Sequence, residues 1–149
     1  MSEAAMRATL QLLVVAGSLE QRLGPTLSSV HGISLQEMLL LLNLERSPLH
    51  RMRRVDLAAA MNIGASSVSH LGDPLEKDGL VRREVDTRDA RVAYMVVTEE
   101  GMIRLKEARV TLADLSSRLF DERWTEADVQ KFVLRLGQLA YGSTSKVIG

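Results

Sequence analysis

Leu80 to Val97 reads LVRREVDTRDARVAYMVV. Two runs rich in β-branched and aromatic residues flank a tip that crowds Asp86, Arg88, Asp89 and Arg91 into six positions. Apolar runs of this kind separated by polar residues predict a β-hairpin, here with a tip longer than the two-residue ideal. The tip is the unusual part. The chain as a whole balances 19 basic against 19 acidic residues, so charges gathered on one turn serve a local end: either they project and brace a cation, or they keep an edge strand soluble.

Immediately upstream, VDLAAAMNIGASSVSHLGDPLEKDGL (Val55 to Leu80) places Leu57, Ala58 and Met61 on one short helical stripe and Val68, Leu71 and Leu75 on another. Asn62 to Gly64 forms the turn between them, with Ile63 as its apolar plug, and Gly79 suits the position just past the second helix. This is a helix-turn-helix pattern. Before it, ISLQEMLLLLNLER (Ile33 to Arg46) carries Ser34 as N-cap and Glu37 at the capping-box position, with leucines on every face, so the helix must be central; Ser47 and Pro48 end it. At the start of the chain Met6, Leu10, Leu13 and Gly17 recur at helical spacing, predicting a helix with one buried side and a break or kink at Gly24 and Pro25. After the hairpin, Thr98 and Thr125 each precede acidic residues and cap two further helices, and the tail after Gly142 is expected to fray.

Composition agrees. At 149 residues, 46% hydrophobic but only 3% aromatic, the chain fits one compact, mostly α-helical domain with an aliphatic core. It has no cysteine, which excludes disulfides and thiolate chemistry. His31, His50 and His70 are scattered, and neither a phosphate loop nor a nucleophile elbow occurs, so no enzyme activity, metal or cofactor is expected. Neither a secretory signal nor a membrane-spanning run is recognisable, which predicts a cytoplasmic protein. The segment from Arg46 to Val97 holds nine basic and seven acidic residues, a small excess whose placement matters more than its size.

The order helix, helix, helix-turn-helix, wing and flanking helices resembles the MarR family of winged-helix transcriptional regulators. The resemblance spans nearly the whole chain and rests on LQEMLLLL, DLAAAM, SSVSHLGDPLEKDGLV and DTRDAR followed by VTEEG, with EKDGLVRR and the wing tip the most specific. It implies a mainly α fold with a two-stranded β wing, a winged helix-turn-helix at 34–97 between dimerisation helices at 1–33 and 98–149. It further implies a homodimer on a palindromic operator of double-stranded DNA, probing it with a recognition helix, and in many members a small molecule that releases it, for which no pocket residues are assigned here.

On that reading Ala65, Ser66, Ser69 and His70 point outward from the recognition helix toward base edges. Ser66 and Ser67 serve equally well as helix-start residues. Arg88 projects from the wing toward a minor groove, braced by Asp86 or Asp89 pairing with Arg91. HRMRR (His50 to Arg54) offers Arg51, Arg53 and Arg54 as phosphate contacts, with Arg82 on the first wing strand, or else a solvated charge run. The exposed stripes Leu10, Leu13, Phe132, Leu136 and Leu139 predict the dimer. Three residues depart from the family pattern: His70 stands where arginine is usual, Gly72 where a bulky apolar residue is common, and Pro74 where another basic residue is. Gly72 to Pro74 therefore predict a kink or break in the recognition helix. The competing reading is a winged helix turned protein-interaction or structural module, its DNA face degraded.

Overall fold

A computed structural model of the chain describes residues 2–139; the tail after Gly142 lies outside them. The centre is α2 (Leu35–Arg46), which starts on the expected capping box: the Ser34 hydroxyl accepts from the Glu37 N–H at 3.0 Å, and the Glu37 carboxylate accepts from the Ser34 N–H at 2.8 Å. Its Met38, Leu40, Leu41 and Leu44 are fully buried, each leucine contributing about 1.5–3 kcal/mol by leaving water. Around it pack α1 (Ser2–His31), α3 (Arg54–Met61), α4 (Ala65–Lys77) and α5 (Glu99–Leu119). α5 is tied across the core by Arg104, which donates to the His31 carbonyl at 2.8 Å, and by Arg109, paired with Glu45. The last helix, α6 (Glu126–Gln138), begins on a Thr125 and Asp128 capping box.

Helices α3 and α4 form the helix-turn-helix. Asn62 ends α3 in the left-handed region (φ 55°), a conformation its short polar side chain tolerates, and Ile63 donates back to Ala58 at 3.0 Å. α4 ends in a Schellman motif: Gly79 (φ 73°) donates to Glu76 and Leu80 to Leu75.

The sheet corrects the expectation of a two-stranded wing. It has three antiparallel strands in the order β1–β3–β2: β1 (Arg51–Arg53), β2 (Val81–Val85) and β3 (Ala93–Val97). Arg51 pairs with Val96, Met52 with Met95 and Arg53 with Tyr94. Three residues, two of them arginine, give too little apolar alternation to be read as a strand; the free edge of β3 makes them one.

Of the kink or break expected at each proline, no break occurs. α1 runs its 30 residues through Pro25, and α4 its 13 residues through Pro74. Each proline deprives the carbonyl four residues earlier of its donor. Those carbonyls belong to Gln21 and His70, both exposed, so water can stand in and the rest of the helix holds. The buried side expected for α1 is also confined to its second half, at Leu23 and Leu27; Met6, Leu10 and Leu13 are each more than half exposed in the single chain.

Candidate nucleic-acid interface

The wing tip is built by two aspartates. Asp86 accepts from the backbone N–H groups of Arg88 at 2.7 Å and Asp89 at 3.1 Å, and from the Tyr94 hydroxyl at 3.4 Å. Asp89 accepts from the N–H of Arg91 at 3.0 Å and from its guanidinium at 3.0 and 3.1 Å. The Asp86 N–H donates to the Val92 carbonyl, closing the turn. These bonds hold both carboxyls below the ordinary aspartate range, Asp86 chiefly through the Arg88 N–H and Asp89 chiefly through the Arg91 side chain. Arg88 is left exposed, and among the described residues its side chain meets no acid.

The arginines of β1, β2 and the start of α3 are engaged. Arg51 pairs with Glu84 and lies over the Tyr94 ring, 4.1 Å from its centroid; Arg82 holds the other oxygen of Glu84 at 2.7 Å. Together, Arg82 foremost, they keep Glu84 ionised below its ordinary range. Arg53 pairs with Asp56 at 2.9 Å, and Arg83 reaches Glu76 at 3.7 Å. Arg54 donates to the Ser69 hydroxyl at 3.0 Å, fastening α3 to α4. Arg53, Arg54, Arg83 and Arg91 nonetheless line one groove of about 370 Å³ between α4 and the sheet, with Asp73 and Glu76 on the helix side.

On α4, Ser66, Ser67 and His70 are exposed and Ser69 is half-buried. Ala65, the first residue of α4, is likewise half-buried and partly packs against the core. Among the described residues no His, Asp or Glu cluster has the geometry of a metal site, and no helix is long and apolar enough to cross a membrane.

The MarR family model matches residues 33–93, from the residue before the Ser34 cap to the first residue of β3. That match covers less than half of the chain, the helix-turn-helix and most of the wing, and makes this region similar to the MarR family. Over 90 residues it is 30% identical to the HTH-type transcriptional repressor YetL of Bacillus subtilis (strain 168), a match taking in 60% of this chain and 53%, about half, of that relative. Its fold is similar to that of Sco3205, a MarR family transcriptional regulator from Streptomyces coelicolor solved in complex with DNA: TM-score 0.79, 27% identity, covering 97% of this chain and 88% of that one. AbsC, a MarR family transcriptional regulator from the same organism, gives TM-score 0.75 and 28% identity over 93% and 90%.

The roles of two glycines escaped the sequence reading. Gly101, in the first turn of α5, has the Leu80 carbonyl oxygen where a Cβ would sit, with Val97 Cγ2 at 2.8 Å, so the base of the wing and the helix after it can meet only at glycine. Gly72 is buried, and a Cβ there would lie 2.5 Å from the Met95 methyl. A glycine inside a helical pattern is itself the signal of a close approach, but nothing local names the partner.

Proposed function

We propose that the chain is a cytoplasmic, sequence-specific DNA-binding transcriptional regulator, acting as a repressor through a homodimer on an inverted-repeat operator. The observation that carries the reading is the wing tip: Asp86 and Asp89 direct their acceptors into the turn, so Arg88 is presented on a stiffened support with its charge uncompensated. A cation so placed suits the concentrated negative potential of a narrow minor groove. The exposed Ser66, Ser67 and His70 at the front of α4 suit the adjoining major groove, and Arg51, Arg53, Arg54 and Arg82 are the candidate phosphate contacts. Support for the dimer comes from Leu10 (54% exposed), Leu13 (67%), Leu134 (68%) and Leu139 (59%), apolar surface on the two terminal helices that one chain leaves in water. Phe132, expected on that stripe, instead packs in an aromatic cluster, its ring 5.5 Å from Trp124.

Selection from a random duplex library, followed by gel shift at two salt concentrations and sedimentation of the free protein, tests this. The expected result is a dimer that enriches an inverted repeat with half-sites about one helical turn apart. A monomer at micromolar concentration, or a library with no enriched sequence, would overturn it; the latter would favour the interaction-module reading. Placing the selected site over a reporter promoter separates repression from activation.

A further inference from the structure

Val68 and Leu75 bury the inner face of α4 in a core that also holds Leu80, Val81 and Val97 at the base of the wing. Beyond that base, two further contacts join α4 to the sheet. Arg83 and Glu76 span the gap at 3.7 Å, with side chains 63% and 47% exposed, and an ion pair so open to water constrains little. The other tie is apolar. Met95 lies in the central strand between Met52 and Arg83, and its thioether tip enters the notch left by Gly72, where a Cβ would stand 2.5 Å from the methyl and 3.5 Å from Sδ. The same Met95 lines the floor of the groove between α4 and the sheet. A larger residue at position 72 would have to drive the methionine into that groove or lift the helix off the sheet.

We propose that Gly72 and Met95 form a knob-and-notch joint that sets the separation of α4 from the wing, and thereby which operator geometry the protein accepts. The second half rests on the DNA reading above. A helix in the major groove and an arginine in the neighbouring minor groove must be spaced to match the duplex, so the joint acts as a positioning pair without touching DNA. Because a methionine tip is flexible, an alanine at position 72 is absorbed by rotation of Met95, whereas a leucine is not.

Two measurements test it, one without DNA. The chain has no cysteine, so Lys77→Cys and Thr87→Cys, both at exposed positions, give a unique pair of spin labels across the joint. Gly72→Leu is expected to lengthen their separation, Met95→Ala to broaden its distribution, Gly72→Ala to leave it as it is, and Gly72→Leu with Met95→Ala to return it toward the wild-type value. A separation unchanged in Gly72→Leu together with a distribution no broader in Met95→Ala would overturn the joint; should Gly72→Leu not fold, the width in Met95→Ala alone decides. In the unlabelled protein, Gly72→Leu and Met95→Ala should each weaken binding to the duplex selected by wild type about tenfold relative to random duplex, and the double variant should recover most of that loss, the non-additivity expected of residues in contact. Equal losses on selected and random duplex, or losses that simply add, would reject the positioning role. A wild type that selects no duplex would refute the DNA reading, while the label distances would still pass judgement on the joint.

Discussion

In the wing tip, the side-chain bonds that shape the turn join residues no more than eight apart, Asp86 and Tyr94 being the most distant. In α4 the residue that governs how the helix meets the wing, Gly72, answers to Met95 on another element. The two regions make up one proposed face, yet one is self-contained and the other takes its placement from the fold. The tip's geometry should therefore survive damage elsewhere, while the placement of α4 should respond to substitutions in the sheet it leans on.

The largest expected effect lies where tertiary contact is closest. Gly101→Ala puts a methyl group onto the Leu80 carbonyl and against Val97, and a backbone oxygen cannot swing aside as a methionine tip can. A loss of about 2–3 kcal/mol is expected by chemical denaturation. A neutral result would mean that the base of the wing is free to move, and the contrast between local tip and fold-dependent helix would lose its footing.

Next comes Pro74→Ala. Proline inside a helix is about 3 kcal/mol worse than alanine, and its restriction of the unfolded chain returns about 0.4–1 kcal/mol. A gain of about 2 kcal/mol is expected if the proline is only tolerated through water at the His70 carbonyl. No gain would show that the proline is compensated within the fold.

These two residues mark where the sequence stopped being legible. Caps, turns and the wing tip could be read because their partners lie a few positions away: Ser34 with Glu37, Thr125 with the acids that follow it, Asp89 with Arg91. The central burial of α2 was legible because leucine covers all its faces. Strand β1 was not, since its pairing depends on the edge of β3 and not on its own composition. Nor was the role of Gly72, which looked like a weak point until Met95 was found in its notch. That Pro25 and Pro74 leave their helices unbroken was hidden for a related reason: whether the carbonyl a proline orphans can find another partner depends on its exposure, and so on packing.

The tip itself offers a third, smaller test. Asp86 titrates below the ordinary aspartate value because the N–H groups of Arg88 and Asp89 stabilise its charged form. Its contribution is therefore complete above the unfolded value of about 3.9 and is lost as pH falls through the lower folded one. The amides of Arg88 and Asp89 are expected to keep their chemical shifts on acidification past that ordinary value and to change only below it. In Asp86→Ala the same two amides should exchange with solvent faster at every pH, with those of α4 unaffected. Faster exchange in α4 as well would show that the two regions are coupled through more than the Gly72 contact.

The smallest structural effect separates the two arginines of the tip. Arg91 gives Asp89 two guanidinium bonds, but its side chain is 90% exposed and the backbone N–H bond to Asp89 survives substitution. Arg91→Ala should loosen the turn, seen as faster exchange of its own amide, with a change in Tm near the error of measurement. Arg88 contributes only its backbone N–H to the turn, which alanine keeps, so Arg88→Ala should leave exchange and Tm alone. Its consequence belongs to the duplex: an arginine that displaces one counterion should, when removed, weaken binding and flatten the slope of log affinity against log salt by about one. If Arg88→Ala binds the selected duplex as wild type does, with the same salt slope, the stiffened tip supports nothing and its charges are there to keep the hairpin solvated. If Arg91→Ala alone flattens the slope, the projecting cation is Arg91, and Asp89 holds it only until DNA competes for the guanidinium.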